Sequence, residues 1–124
     1  IPNVVTLSCV LSACSRSGKL NEAQMLFTNM TTKYGINPTL EHYTCMVMAF
    51  GCAGHFDKAL KVIEKVAASD RLKLLLPFLG ACQKWVNVEL GRWTFEQTVH
   101  LDKSNAAAFI GMSNIYAASQ LLAF

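Results

Sequence analysis

The apolar positions of this chain return in helical steps, and those steps are themselves repeated. Leu7, Val10, Leu11 and Cys14 fall at i, i+3, i+4 and i+7, the stripe of a helix with one buried side. Leu20, Ala23, Met25, Leu26, Phe27 and Met30 supply a second, broader apolar face directly after it. The same slots are then filled again. Leu7, Tyr43, Leu75 and Phe109 align, as do Val10, Met46, Phe78 and Met112. So do Leu20, Phe56, Val88 and Leu122, and likewise Phe27, Ile63 and Phe95. Recurrence at this spacing is the mark of a repeat architecture.

The alignment divides the chain into units 4–39, 40–71 and 72–105, of 36, 32 and 34 residues, with the opening of a fourth at 106–124. Each full unit predicts two helices. Gly18 and Gly54 stand between them as left-handed caps, since glycine has no Cβ to clash there. Asn21 and Asp57 follow as the expected N-caps of the second helices. Pro2 and Pro38 precede the first helices of their units, where a proline breaks nothing. The pattern predicts six complete helices and part of a seventh, turning near Gly18, 36–38, Gly54, 69–71, Val86 and 103–105. Pro77 is expected in the first turn of a helix that begins at about Lys73 to Leu76. Hairpins of this kind stack into an all-α solenoid in which each unit touches only its neighbours.

Composition agrees with stacking on both sides. The chain is 52% hydrophobic and 15% charged, against roughly 25% charged in ordinary soluble domains, so there is too little charge to solvate every face. The longest nearly apolar run, Leu74 to Cys82, is nine residues and contains Pro77, whereas a bilayer-spanning helix needs about 20. No membrane span is expected. Ile1 in place of an initiator methionine predicts that the chain begins inside a longer one. The net charge of +3 and pI near 8.7 mildly favour a polyanionic partner.

Cysteine and histidine chemistry is set by the same repeat. Cys9 and Cys45 share a slot, as do Cys14 and Cys82, which reads as core packing. No Cys-x-x-Cys is present, and His42, His55 and His100 form no metal-ligand spacing, so no metal or other cofactor is expected. Five cysteines without a framework fit a reducing compartment. Asn29-Met30-Thr31 matches a glycosylation sequon, a tripeptide that arises often by chance. Cytidine deaminases need a His-x-Glu and a Cys-x-x-Cys, and neither occurs here. No catalytic signature is present.

The unit length, the Ala-Cys and Ala-Gly steps, and the Glu22-Ala23 and Lys58-Ala59 starts of the second helices resemble pentatricopeptide repeats. Four blocks carry the resemblance further, in correct order: 41–47 (Glu-His-Tyr-Thr-Cys-Met-Val), Leu79-Gly80-Ala81-Cys82, Asn87-Val88-Glu89-Leu90-Gly91 and 113–118 (Ser-Asn-Ile-Tyr-Ala-Ala). They resemble the C-terminal end of the plant PLS subclass, in which a long and a short repeat are followed by two degenerate E motifs. The resemblance implies a right-handed α-solenoid of helix–turn–helix repeats, similar to tetratricopeptide repeats. Three places depart from it. Asp70-Arg71 replaces a Pro-Asp pair, Leu75 a tryptophan, and Val86 a glycine.

On the first helices, Val5, Ser8, Ser12 and Arg16 share one face away from the apolar stripe, and Glu41, Thr44, Met48 and Cys52 share the equivalent one. The resemblance implies that Ser8 and Thr44 meet base edges of single-stranded RNA, together with the last residue of each repeat, Thr39 and Arg71. It puts phosphate contacts at Arg16 and Lys84. One base per repeat is the logic. It further implies a mitochondrial or chloroplast protein, no small-molecule ligand, and editing-complex or other organellar ribonucleoprotein partners at the C-terminal edge. Three functions stay open at this point. They are a site-specificity factor for C-to-U editing, a structural repeat protein of an organellar ribonucleoprotein such as a ribosome, and a helical scaffold that binds only protein.

Overall fold

The structure, a computed structural model, describes residues 3–123. Pro2 and Phe124 lie outside the described residues. Among the described residues seven α-helices follow one another: α1 Val4–Arg16, α2 Leu20–Thr32, α3 Leu40–Cys52, α4 Phe56–Glu64, α5 Arg71–Trp85, α6 Val88–Leu101 and α7 Ala106–Ala123. A short 3-10 turn, Ala68–Asp70, leads into α5. No strand occurs among the described residues. The chain forms two compact bodies, residues 1–67 and 68–124.

In the first body α3 is the central element, packed against α1, α2 and α4. Its fully buried Val47 and nearly buried Met46 and Phe50 meet a core that includes Leu11, Met30, Ala59 and Ile63. In the second body α5 packs on both α6 and α7, which also pack on each other. Leu74, Phe78 and Cys82 of α5 and Ala108 and Ile115 of α7 are fully buried. Two glycines permit the close approach there. A Cβ on Gly91 would stand 2.7 Å from Ile115 Cδ1, and one on Gly111 would stand 2.8 Å from Leu79 Cδ2.

The repeat is visible in matched contacts. Phe27 of α2 meets Tyr43 of α3 edge-on at 5.7 Å, and Phe95 of α6 meets Phe109 of α7 edge-on at 5.0 Å. Both pairs join the same two slots. The turns are matched as well. The N–H groups of Lys19, His55 and Asn87 each reach back five residues, to the carbonyls of Cys14, Phe50 and Cys82, at 3.0, 2.8 and 2.9 Å. That bond requires a left-handed residue before the donor. Gly18 (φ 73°), Gly54 (φ 80°) and Val86 (φ 52°) supply it.

Several sequence expectations need correction. The left-handed turn is so tight that the next residue already caps the following helix, so Lys19 and His55 hold the N-cap positions of α2 and α4. Asn21 and Asp57 lie inside those helices. Pro77 is the seventh residue of α5, not in its first turn, because the helix starts at Arg71. Without a proline N–H, the Lys73 carbonyl loses its helical partner. Val10, Met25, Phe109 and Leu122 are exposed rather than core, and α7 runs unbroken through Leu122. Cys9 is exposed although Cys45 in the same slot is buried. The buried side of α1 carries Leu7, Leu11 and Ser15, and Cys9 lies off it.

The expectation about membranes rested on apolar runs. By length and composition alone, α7 is long and apolar enough to cross a bilayer, with only 22% of it buried. Its buried residues Ala108, Gly111, Met112 and Ile115 nevertheless lie on the helix that packs against α5 and α6 of the same body.

Candidate nucleic-acid interface

Ser8 and Thr44 occupy the same place on α1 and α3, and their hydroxyls do the same thing. Ser8 Oγ donates to the Val4 carbonyl and Thr44 Oγ1 to the Leu40 carbonyl, each at 2.8 Å. Both side chains are half-buried, so each hydroxyl oxygen is held in a fixed direction at the surface of the first body. Val5 and Arg16 beside Ser8, and Glu41 and Met48 beside Thr44, are exposed. The two predicted faces are therefore open.

Thr39 has a local role that the sequence reading did not assign. It is the N-cap of α3, in a capping box whose third helical residue is His42. The Thr39 N–H donates to His42 Nδ1 at 2.9 Å, and Thr39 Oγ1 lies 3.2 Å from the same nitrogen. The other ring nitrogen, Nε2, lies 2.6 Å from Ser8 Oγ. Ser8 and Thr39 thus stand on opposite sides of one fully buried imidazole. Since Nδ1 accepts from a backbone N–H, the ring proton sits on Nε2 and is donated to Ser8. Burial holds the His42 pKa below the ordinary histidine value, with the Glu41 carboxylate opposing, so the ring is neutral at pH 7.

A second cross-helix link lies about two turns further along α1. Ser15, buried on α1, places its hydroxyl 2.9 Å from the carbonyls of both Leu11 and Cys45, sharing one proton between α1 and α3. These contacts fix α1 on α3, and with them the spacing of Ser8 from Thr44.

Arg16 ends α1 as an exposed cation, favourable at a helix C-terminus. Arg71 and Lys84 belong to the second body. Arg71 opens α5, with Asp70 before it as N-cap. Lys84 Nζ lies 5.6 Å from the centre of the exposed Trp85 ring, within cation–π range. No cluster of three metal-ligating side chains exists among the described residues. His42 is the residue that sequence reasoning missed. Its signal was Thr39-x-x-His42, the capping-box spacing with histidine in the place of glutamate or glutamine.

Comparison with known proteins gives one answer. The family described as "Pentacotripeptide-repeat region of PRORP" matches residues 1–74. Pentatricopeptide repeat-containing protein At4g14820 of Arabidopsis thaliana is 39% identical over 119 residues, 96% of this chain and 16% of its own length. At5g15300 of the same plant is 36% identical over 118 residues, 95% of this chain and 22% of its own length. At2g03880, whose name includes "mitochondrial", is 36% identical over 119 residues, 96% of this chain and 19% of its own length. The chain spans less than a quarter of each of these relatives. Proteins of this family are generally organellar RNA-binding proteins built as helical solenoids. The repeated hairpins, their shared left-handed turns and this match together make the chain a member of the pentatricopeptide repeat family.

Proposed function

We propose that this chain is an RNA-binding segment of an organellar pentatricopeptide repeat protein of the PLS subclass, acting in site recognition for C-to-U editing. In this reading 4–39 is a long repeat and 40–71 a short one. Residues 72–105 resemble the first E motif, and 106–124 the start of the second. The observation that carries the RNA reading is the pair Ser8 and Thr44. Equivalent hydroxyls, each directed by the same bond to the carbonyl four residues earlier, stand on packed neighbouring helices. Ser8 with Thr39 and Thr44 with Arg71 contact successive bases, and Arg16 and Lys84 contact phosphates. The chain is a mitochondrial or chloroplast component, and deamination is supplied elsewhere.

Binding of single-stranded RNA over a range of salt tests this. Arg16→Ala weakens binding to all sequences alike and lowers the salt slope, because one fewer counterion is released. Thr44→Asn changes the base preferred at one position. Unaltered preference after that exchange moves the segment to a structural role in a ribonucleoprotein.

The exposed apolar residues of α7 favour a second reading, in which a protein partner is bound as well. Ile110, Leu121 and Leu122 are 61%, 76% and 75% exposed. Editing-complex or other ribonucleoprotein subunits are the proposed partners at this edge.

A further inference from the structure

We infer that the outer side of α4 is a second RNA-contact surface, on which Lys58, Lys61 and Lys65 hold the phosphate backbone of a paired RNA stem without reading its sequence. The inference uses none of the residues proposed to meet bases, so it stands or falls apart from that reading.

The sequence concentrates positive charge here. Eleven Lys and Arg in 124 residues place fewer than one in an average window of eight, yet 58–65 holds three. Their spacing of three and then four residues brings them to one side of the helix, within about 60° of one another and over about 10 Å of its length. Lys65 is the C-cap of α4 and keeps helical backbone angles, φ −73° and ψ −17°, so the spacing holds to the end. Ala59, Val62 and Ile63 bury a different side, and all three lysines are exposed.

No hydrogen bond or ion pair among the described residues engages any of the three. Nor does the repeat call for them. The matching places hold Glu22, Met25 and Asn29 on α2, and Leu90, Trp93 and Gln97 on α6. Three unneutralised cations in line are therefore particular to α4 and have no packing role.

The shape of the stripe selects its ligand. Asp57 and Glu64 are also exposed and lie about a quarter-turn round the helix from the lysines. A flat anionic membrane would press on those carboxylates together with the amines. The phosphates along one strand of a stem form a narrow ribbon, which can follow the lysines and leave the acids in water. Phe56, the aromatic residue of α4, falls on the other side of the helix, so no ring of α4 is placed to stack on a base. A paired stem suits such a surface, because it keeps its bases inside and is recognised by shape and phosphate. Lysine amines serve phosphate as point charges.

The test measures binding of the chain to two blunt RNA duplexes of unrelated sequence, each of about 16 base pairs, between about 50 and 200 mM salt. Three variants are compared with the parent chain. The first joins Lys58→Gln, Lys61→Gln and Lys65→Gln. The second removes the same charge elsewhere, through Lys19→Gln, Lys33→Gln and Lys103→Gln. The third is Arg16→Ala. The exchanged lysines are all exposed, and glutamine is a good helix former, so both triple variants fold. We expect the parent to bind both duplexes alike. The α4 variant lowers the slope of log affinity against log salt by about two to three, one counterion for each lost contact, and weakens binding about tenfold or more at the lowest salt. The other two variants change the slope by less than about one.

A parental slope in the α4 variant overturns the inference. An equal loss in the second variant assigns the effect to net charge and overturns it as well, and an equal loss in Arg16→Ala moves the stem to the first-helix face. Strong preference for one duplex contradicts a backbone-only contact. Vesicles of equimolar phosphatidylcholine and phosphatidylglycerol complete the test. If they bind the parent but not the α4 variant, while neither binds duplex RNA, the stripe is a membrane contact and the inference fails.

Discussion

Gly111 of α7 lies so close to Leu79 of α5 that a Cβ placed on it would stand 2.8 Å from the Cδ2 methyl and 3.2 Å from Cγ. Alanine there trades a contact with a rotatable methyl against about 1 kcal/mol of helix propensity gained over glycine, so Gly111→Ala is close to neutral. Valine adds two methyls with nowhere to go. Overpacking of this kind costs about 1–3 kcal/mol, and Gly111→Val lowers the urea midpoint accordingly. Equal stability of the alanine and valine variants refutes the close packing of α7 on α5.

Val86 offers the opposite test. A β-branched residue at φ 52° carries a left-handed penalty of about 1–2 kcal/mol, which glycine avoids at some cost in unfolded-state freedom. Val86→Gly raises stability by about 0.5–1 kcal/mol. Gly54→Val, in the matching turn, lowers it. Denaturant titration of both variants decides the matter.

Acid acts through His42. Its folded pKa lies below the ordinary value because burial disfavours the charged ring. The unfolded chain therefore takes up the proton first as pH falls. The contribution of the neutral ring is complete above the unfolded value of about 6.5 and is lost as pH falls through the lower folded value. Thermal melts between pH 8 and 5 show this loss in the parent chain. In His42→Gln, which bonds the same partners without titrating, the loss is reduced, and identical pH profiles count against the assignment.

Thiol labelling at pH 8 separates the cysteines by depth. Exposed Cys9 reacts first. Burial pushes the Cys82 thiol up to about 11, and pushes Cys45 up too, with the Glu41 carboxylate adding to the effect. Neither forms appreciable thiolate, the reactive species. Both are modified only as fast as the chain opens, and rapid labelling of Cys82 in the folded chain contradicts its burial.

Association should follow the apolar surface of α7. Ile110 and Leu121 are 61% and 76% exposed and lie eleven positions apart, on one side of the helix. Each uncovered side chain forgoes about 1.5–3 kcal/mol of burial. Sedimentation of the isolated chain shows concentration-dependent self-association, relieved by Ile110→Lys with Leu121→Lys. A monodisperse parent chain removes the case for a covered α7.

What the sequence disclosed and what it concealed have separate physical origins. Helix number and turn positions were legible because they depend on periodicity and on glycine: Gly18 and Gly54 announce the left-handed turn, and Val86 stands in their slot. Caps were not. Asn21 and Asp57 are better capping residues than Lys19 and His55, yet the back-bonded turn leaves no room for them to serve. Exposure of Val10, Met25 and Cys9 was hidden too, since an apolar stripe does not say which of its edges meets a neighbour. Of the candidate site, the matched positions of Ser8 and Thr44 followed from spacing. The imidazole between Ser8 and Thr39 did not, because the capping-box spacing can announce only its local partner Thr39 and not Ser8, 34 residues away on another helix.

Asn3, Thr39 and Asn105 stand where one hairpin hands over to the next, and each begins a helix. Asn3 Oδ1 accepts from the Thr6 N–H at 2.8 Å, Asn105 Oδ1 accepts from the Ala108 N–H at 3.0 Å, and Thr39 caps α3. A helix start accepts few residue types, chiefly serine, threonine, asparagine and aspartate. Any message written at these handover points is thus confined to a four-letter vocabulary before a ligand arrives. Swapping one letter for another within it leaves the scaffold standing, so residue identity at these points can drift through evolution while the architecture stays still.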